Sequence, residues 1–350
     1  MKVYVGLSGG VDSSVTAAKL IEQGHDVTGV YMKNWSQDLP GFDCPWREDY
    51  RDAKRVAVDL GIPFELFDFE TEYRQRVVNY MLDGYKQGLT PNPDIMCNQE
   101  IKFRLFLEVA LSKGAEMIAT GHYARVIHTK EGAELHMAAD ANKDQTYFLY
   151  RVTEDALRHS LMPIGDFPDK QSVRAEAARL GLATAQKKDS QGICFVGKVG
   201  IKEFLLHELG PQQPGTVLDQ HGVAIGEHEG AIFYTIGQRQ GLGIGGGLPY
   251  YVTGKDMAKN EVYVTTDIQD TALWRNALRL QQVHWINAAP TEQKKYQIRT
   301  RHRAELVGCT VEMAENGATI RLNEQVRAIT PGQSAVLYEG TRVVGGGIVV

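Results

Sequence analysis

Two cysteines stand in polar, turn-rich surroundings suited to sulfur chemistry. Cys97 closes the run Thr90-Pro91-Asn92-Pro93-Asp94-Ile95-Met96-Cys97, and Cys194 lies in Lys187-Lys188-Asp189-Ser190-Gln191-Gly192-Ile193-Cys194-Phe195. Two prolines hold the first run extended up to a helix start, which predicts Cys97 or Asn98 at or near a helix N-terminus. There the positive end of the helix dipole lowers a thiol's pKa and raises its thiolate fraction. A small buried hydrophobe is the alternative fate of either cysteine, and nothing in the chain itself shows that two such distant thiols meet. A third stretch handles phosphate. Met1–Leu7 reads as a buried strand, Ser8-Gly9-Gly10-Val11-Asp12-Ser13-Ser14 as a glycine-rich turn, and Val15–Gln23 as an apolar-periodic helix. Glycines let the backbone approach an anion, and the free N–H groups of a helix start point at it. Ser13 and Ser14 suit the cap position. No lysine follows the loop, so it is not a Walker A motif.

Three further polar clusters qualify. Gly121-His122-Tyr123 follows the apolar run Met117–Thr120, with a glycine for close approach to a nucleotide and a histidine able to donate to phosphate or substrate. Lys143, Asp144 and Gln145 precede an aromatic stretch; Asp144 is either a helix cap or, with its neighbours, an RNA contact. Arg299, Arg301 and Arg303 alternate with Thr300 and His302, which in a strand puts three guanidinium groups on one face. That stripe suits phosphate; a solvated strand face is the plain alternative. Residues 233–245 form a glycine-rich loop without strand-to-helix context, read as a hairpin or inter-domain loop rather than a dinucleotide fingerprint.

The elements that must position these groups follow from periodicity. Val3–Leu7, Asp26–Met32, Phe64–Phe67 and Met117–Thr120 read as strands; Ser13–Gln23, Trp46–Leu60, Tyr73–Gly84 and Cys97–Lys113 read as helices, with Gly24, Gly61 and Gly114 at helix stops. The alternation predicts an α/β fold, a parallel sheet covered by helices, with ligands at the carboxyl ends of its strands. Ser8–Ser13, Met32 and Gly121 all fall there. Helices are expected over Glu154–Leu161 and Lys170–Leu180. Glycine-rich short strands then mark a small linking domain, and β-rich runs punctuated by Glu315-Asn316-Gly317, Pro331-Gly332 and Glu339-Gly340 predict an antiparallel barrel. The expected divisions are 1–198, 199–270 and 271–350. At 350 residues, with a net charge of −5, four cysteines and no long apolar run, the chain reads as a cytoplasmic protein with reduced thiols and no membrane span. The acidic balance argues against broad nucleic-acid affinity but leaves room for a local basic surface.

The Ser8–Ser13 loop resembles the SGGxDS loop of the PP-loop ATP-pyrophosphatases. Taken with Met32–Trp35, Thr90–Phe103, Thr120–Tyr123, Lys143–Tyr150, Lys188–Phe195, residues 234–246 and Thr330–Val336, nearly the whole chain resembles the tRNA-specific 2-thiouridylases. That resemblance implies an adenine-nucleotide α-hydrolase-like (PP-loop) N-terminal domain. Gly6, Leu7, Ser8, Gly9, Gly10, Val11, Asp12 and Ser13 would bind ATP, with Met32 and Gly121 near adenine or ribose. Cys97 would be a nucleophile, Cys194 the persulfide carrier, and Asn92, Pro93 and Asp94 would touch the target base. His122, Lys143, Asp144, Gln145, Arg301, His302 and Gln333 would contact tRNA. The family often has Tyr where this chain has His302, and the segment 36–47 diverges. Mg²⁺ with the phosphates, a cysteine desulfurase or sulfur carrier as donor, and a monomer complete the expectation. A PP-loop ligase acting on a small metabolite and a non-catalytic RNA-binding sulfur relay are the rival readings.

Overall fold

The computed structural model describes residues 1–39, 43–187, 200–245, 247 and 249–350. The apolar run at the N-terminus becomes the strand Lys2–Gly6, the middle of a five-stranded sheet ordered Phe64–Asp68, Asp26–Lys33, Lys2–Gly6, Met117–Ala119, Ser160–Leu161. All four pairings are parallel. The order reverses beside the first strand, and the crevice at such a switch point is where ligands bind in open α/β sheets. The loops after Lys2–Gly6 and Met117–Ala119 both open into it. Sequence periodicity located four of these strands to within one or two residues. The fifth, Ser160–Leu161, was hidden inside an expected helix that stops at Arg158.

Residues 70–86 and 93–112 each form one long helix with an internal π-helical stretch, over Arg74–Val78 and Cys97–Leu105. Next come the helix Ile201–Leu209 and a four-stranded mixed sheet built from Gly215–Leu218, Ala224–His228, Tyr251–Asp256 and Glu261–Thr265.

The C-terminal barrel has six antiparallel strands. Trp274–Trp285 closes it by pairing on one side with Gly317–Arg327 and on the other with Arg342–Val349. Closure leaves the barrel strands without a free edge. A hairpin of the N-terminal part, Ala124–His128 with Ala133–Met137, extends the same sheet through the pair His136–Arg342. One apolar cluster runs across this boundary, joining Tyr147 and Tyr150 to Val336, Tyr338 and Val343.

The strand expected over 296–305 stops at Arg299. Residues 300–303 turn, and Arg303 has a left-handed φ of 61°. The arginine stripe therefore does not form. Arg299 points into the protein at 7% exposure, while Arg301 and Arg303 are exposed in the turn. Among the described residues no helix is long and apolar enough to cross a membrane, and no group of three His, Cys, Asp or Glu could hold a metal ion.

Candidate nucleotide and thiol site

The phosphate loop is built as its sequence predicts, with one correction. The helix Val11–Glu22 starts after Gly10, and no side chain caps it. Ser13 and Ser14, expected as caps, instead donate from their hydroxyls to the Gly10 carbonyl at 3.1 and 2.8 Å. The N–H groups of the first turn are left without a side-chain partner, the condition for receiving an anion. Ser13 Oγ also accepts from the Ser8 N–H at 3.2 Å, closing the loop on itself. Gly9 has φ 76°, and a Cβ there would lie 2.7 Å from the Asp49 carbonyl. Only glycine suits that position. Met32 folds over the start of the loop, its Cε 2.9 Å from where a Gly6 Cβ would be.

Gly121 packs directly on this loop. A Cβ would sit 2.8 Å from the Ser13 nitrogen and 2.9 Å from the Asp12 carbonyl carbon. Asp12 accepts from Tyr123 Oη at 2.8 Å and from Lys170 Nζ at 2.7 Å on both oxygens. Lys170 comes from a distant helix start, so the cation absent from the loop's own sequence is supplied by the fold. No local signal pointed to it.

Cys97 is placed differently from the sequence expectation. Asn92 caps the helix, accepting from the N–H groups of Asp94 and Ile95 at 3.0 and 3.3 Å, and Pro93 takes the first helical position. Cys97 is therefore a full turn inside, where the dipole has largely faded, and it is 2% exposed. It opens the π-helical stretch Cys97–Leu105. Pro93 is buried, while Asn92 and Asp94 are half-exposed. Cys194 and the rest of residues 188–199 lie outside the described residues, so the meeting of the two thiols is not addressed.

His122 sits behind the phosphate loop at 8% exposure. Its Nδ1 is 2.8 Å from Thr120 Oγ1 and its Nε2 is 3.4 Å from Lys102 Nζ. Burial, then the Lys102 charge, push the imidazole well below its ordinary pKa. Both ring nitrogens face protein partners, so the expected direct contact with phosphate or tRNA is replaced here by a holding role.

The segment expected to contact RNA through Lys143, Asp144 and Gln145 is largely a bolt between domains. Asp144 is 1% exposed; its carboxylate accepts from Ala138 N, Thr146 Oγ1 and Arg299 Nη1 at 3.0, 2.7 and 3.2 Å. Burial nonetheless raises its pKa against those partners. As a side-chain tRNA contact Asp144 is corrected: it faces Arg299, the missing member of the stripe. Gln145 exchanges two bonds of 2.9 Å with the Tyr123 backbone, through its own N–H and its Oε1. Tyr147 Oη donates to the Ser334 carbonyl at 2.8 Å. Lys143 remains half-exposed. His302 packs against Phe148 with ring centres 4.5 Å apart and planes tilted by 41°, its Nδ1 buried without a partner and its pKa pushed down to about 4, chiefly by burial.

Gln333 donates to the Thr90 carbonyl at 2.6 Å, and the Thr90 N–H donates to the Pro331 carbonyl at 3.1 Å. Thr90 Oγ1 also lies 3.3 Å from Thr235 Oγ1. Three segments singled out in the sequence thus converge on the root of the Asn92–Cys97 loop, one from each part of the chain.

Residues 1–198 match a family profile described as tRNA methyl transferase HUP domain, 202–266 its PRC-barrel domain, and 275–349 an aminomethyltransferase beta-barrel domain. The tRNA-specific 2-thiouridylase MnmA of Lacticaseibacillus paracasei is 48% identical over 357 residues, covering 100% of this chain and 94% of that protein. The enzyme of the same name from Bacillus subtilis is 47% identical over 353 residues, covering 99% and 94%. Among solved structures, a 4-thiouridine synthetase in complex with RNA and ATP is similar at a TM-score of 0.39 and 20% identity, covering 57% of this chain and 46% of that one. That last likeness is too loose to bear on function, but the full-length identities are decisive: the chain belongs to the tRNA-specific 2-thiouridylase family.

Proposed function

We propose that this protein replaces the C2 oxygen of a tRNA wobble uridine with sulfur, using ATP as co-substrate and a persulfide on Cys194 as the sulfur source. The observation that carries the reading is the joint between the two half-sites. Gly121 is packed on the Ser8–Ser13 loop, and its neighbour His122 meets Lys102 of the helix that bears Cys97. A phosphate cradle and a thiol-bearing helix fixed to one another suit a reaction that needs both.

C2 of uridine is a poor electrophile because its oxygen leaves badly. Attack of that oxygen on the α-phosphorus of ATP expels pyrophosphate, which the loop N–H groups suit as acceptor site. Sulfur then adds to C2, the C2–O bond breaks, and AMP departs with the electron pair. Cys97 thiolate can attack the inner sulfur of the Cys194 persulfide, giving a Cys97–Cys194 disulfide and hydrosulfide; a reductant then clears the disulfide. Gly6–Ser13 with Met32 and Gly121 would hold the nucleotide. The described residues offer no metal cage, so Mg²⁺ in this reading travels with the ATP phosphates. Asn92 and Asp94 border the base, with buried Pro93 as their support. Lys143, Arg301 and His302 face the tRNA, while His122, Asp144, Gln145 and Gln333 hold the surfaces that do. A cysteine desulfurase or a sulfur-carrier protein would charge Cys194, and the working unit is a monomer in the cytoplasm.

The test is pyrophosphate release with and without tRNA, followed by nucleoside mass analysis of the tRNA after supply of a persulfide donor. Release that depends on tRNA, with 2-thiouridine formed by the wild type and not by Cys194→Ser, is expected. Release without tRNA would favour a metabolite ligase; no release at all would leave an RNA-binding sulfur relay. Thiolation retained in Cys194→Ser would reject the persulfide role.

A further inference from the structure

The glycine-rich run that begins at Phe233 has no part in the reaction outlined above, yet the fold sets it against a cavity. That cavity is about 350 Å³, within the range of roughly 300–1,000 Å³ typical of small-ligand sites. Its walls come from three places. Tyr85 stands in the last turn of the helix over residues 70–86, Ile201 and Leu205 belong to the helix Ile201–Leu209, and Phe233, Thr235 and Gly241 belong to the run itself.

Most of the lining is apolar or aromatic, and the polar groups around it are largely spent. Lys202 pairs with Glu229. The Thr235 N–H donates to Gln238 Oε1 at 3.0 Å, and Gln238 Nε2 donates to the Gln240 carbonyl at 3.0 Å. Tyr85 is the exception. It is 8% exposed, and its hydroxyl has no hydrogen-bond partner among the described residues. Burial with no offsetting bond pushes its pKa up to about 12. Buried polar groups are normally satisfied, so an orphaned hydroxyl on a cavity wall marks where a ligand's polar atom belongs. The same run adds a charge outside. Gly241 is shared with a neighbouring surface hollow that Arg239 lines. Arg239 is exposed and engaged in no ion pair among the described residues.

Position narrows the occupant. Thr235 Oγ1 lies 3.3 Å from Thr90 Oγ1, and Thr90 precedes Asn92 by two residues, a span of at most about 7 Å. The cavity is therefore within a nucleotide or two of the segment assigned to the target base. A nucleobase has a flat face for aromatic walls, polar edge atoms for the Tyr85 hydroxyl and a phosphate for Arg239. An apolar side chain of a protein partner would leave the hydroxyl and the arginine unmet. We propose that this cavity is a second base subsite, which receives a nucleobase flanking the target uridine against Tyr85 and Phe233, with Arg239 pairing with its phosphate. This inference rests on the proposed thiolation of tRNA.

The experiment titrates the full chain with anticodon stem-loop RNAs that are intact or carry one abasic nucleotide on either side of the target uridine, for wild type, Tyr85→Phe and Arg239→Gln. Losing one base stacked on aromatic rings costs about 5- to 150-fold in affinity, so wild type is expected to bind one of the abasic RNAs that much more weakly than the intact one. Tyr85→Phe removes the hydroxyl and keeps the ring. It should weaken binding of intact RNA about 2- to 10-fold and leave that of the same abasic RNA unchanged. Arg239→Gln should lower the slope of log affinity against log salt by about 0.7. Equal binding of all three RNAs by wild type, or an equal Tyr85→Phe loss on intact and abasic RNA, would overturn the subsite and leave the thiolation reaction standing. So would unchanged RNA affinity in Tyr85→Phe alongside slowed sulfur transfer from the persulfide donor, which would assign the cavity to the donor protein. Wild-type protein that neither binds nor thiolates the intact RNA would remove both.

Discussion

The buried pair Asp144–Arg299 lets the coupling between domains be measured. Arg299 Nη1 reaches Asp144 Oδ2 at 3.2 Å, the two side chains being 9% and 0% exposed, and the guanidinium lies 5.5 Å from the Tyr338 ring centre. Arg299→Met keeps the bulk and removes the charge. It leaves a carboxylate in the interior with only the Ala138 and Thr146 donors. Breaking a buried ion pair on one side costs about 3–5 kcal/mol, and the loss of the ring contact adds to it. Asp144→Asn should cost a similar amount by stranding the arginine. If the two are each other's partners, the double variant costs about as much as either single one, a coupling of roughly 2 kcal/mol or more. The pH dependence has a definite sign. Burial already raises the pKa of Asp144, and removing Arg299 raises it further. A carboxyl raised in the folded state is penalised as pH climbs through that value. The loss in Arg299→Met should therefore be larger at pH 7 than at pH 5. Urea unfolding of the four proteins at both pH values reads all of this. A single-variant loss under about 1 kcal/mol, or additive costs in the double variant, would refute the assignment of this pair as the bolt.

Two further outcomes follow from particular contacts. Gly121→Ala places a methyl group 2.8 Å from the Ser13 nitrogen, an overpacking strain of about 1–3 kcal/mol. It should weaken ATP binding about 5- to 150-fold in a calorimetric titration, and unchanged affinity would remove Gly121 from the cradle. His302, with its pKa near 4, should show no titration of its ring proton resonances between about pH 5.5 and 8. Because that value lies below the unfolded one, its contribution to stability is present above about pH 6.5 and is lost as pH falls toward 4. A midpoint near 6.5 would refute the half-buried, neutral ring.

Four strands of the parallel sheet were legible because each is a short apolar run closed by a polar turn or a glycine, whereas the two-residue strand Ser160–Leu161 is too short to carry a period of its own. The strand, turn and helix around Ser8–Ser13 were legible for the same reason. Arg299 was misread because a strand pattern shows which residues share a face but not where the strand ends, and Asp144 supplied a buried partner from elsewhere in the chain. Cys97 was placed too near the helix start because Asn92 out-competes it as cap, a choice settled by two backbone N–H bonds. Lys170 and the hairpin 124–137 escaped notice since their partners, Asp12 and Arg342, are remote in sequence.

The grip on Thr90 has a consequence for how the molecule is divided. One carbonyl and one amide of the N-terminal part are claimed by Gln333 and Pro331 of the barrel, and its hydroxyl faces Thr235 of the small sheet. A severed N-terminal fragment would keep its Ser8–Ser13 loop but lose the outside struts that brace the root of the Asn92–Cys97 segment. The barrel and the loop that bears Cys97 are thereby held as one unit.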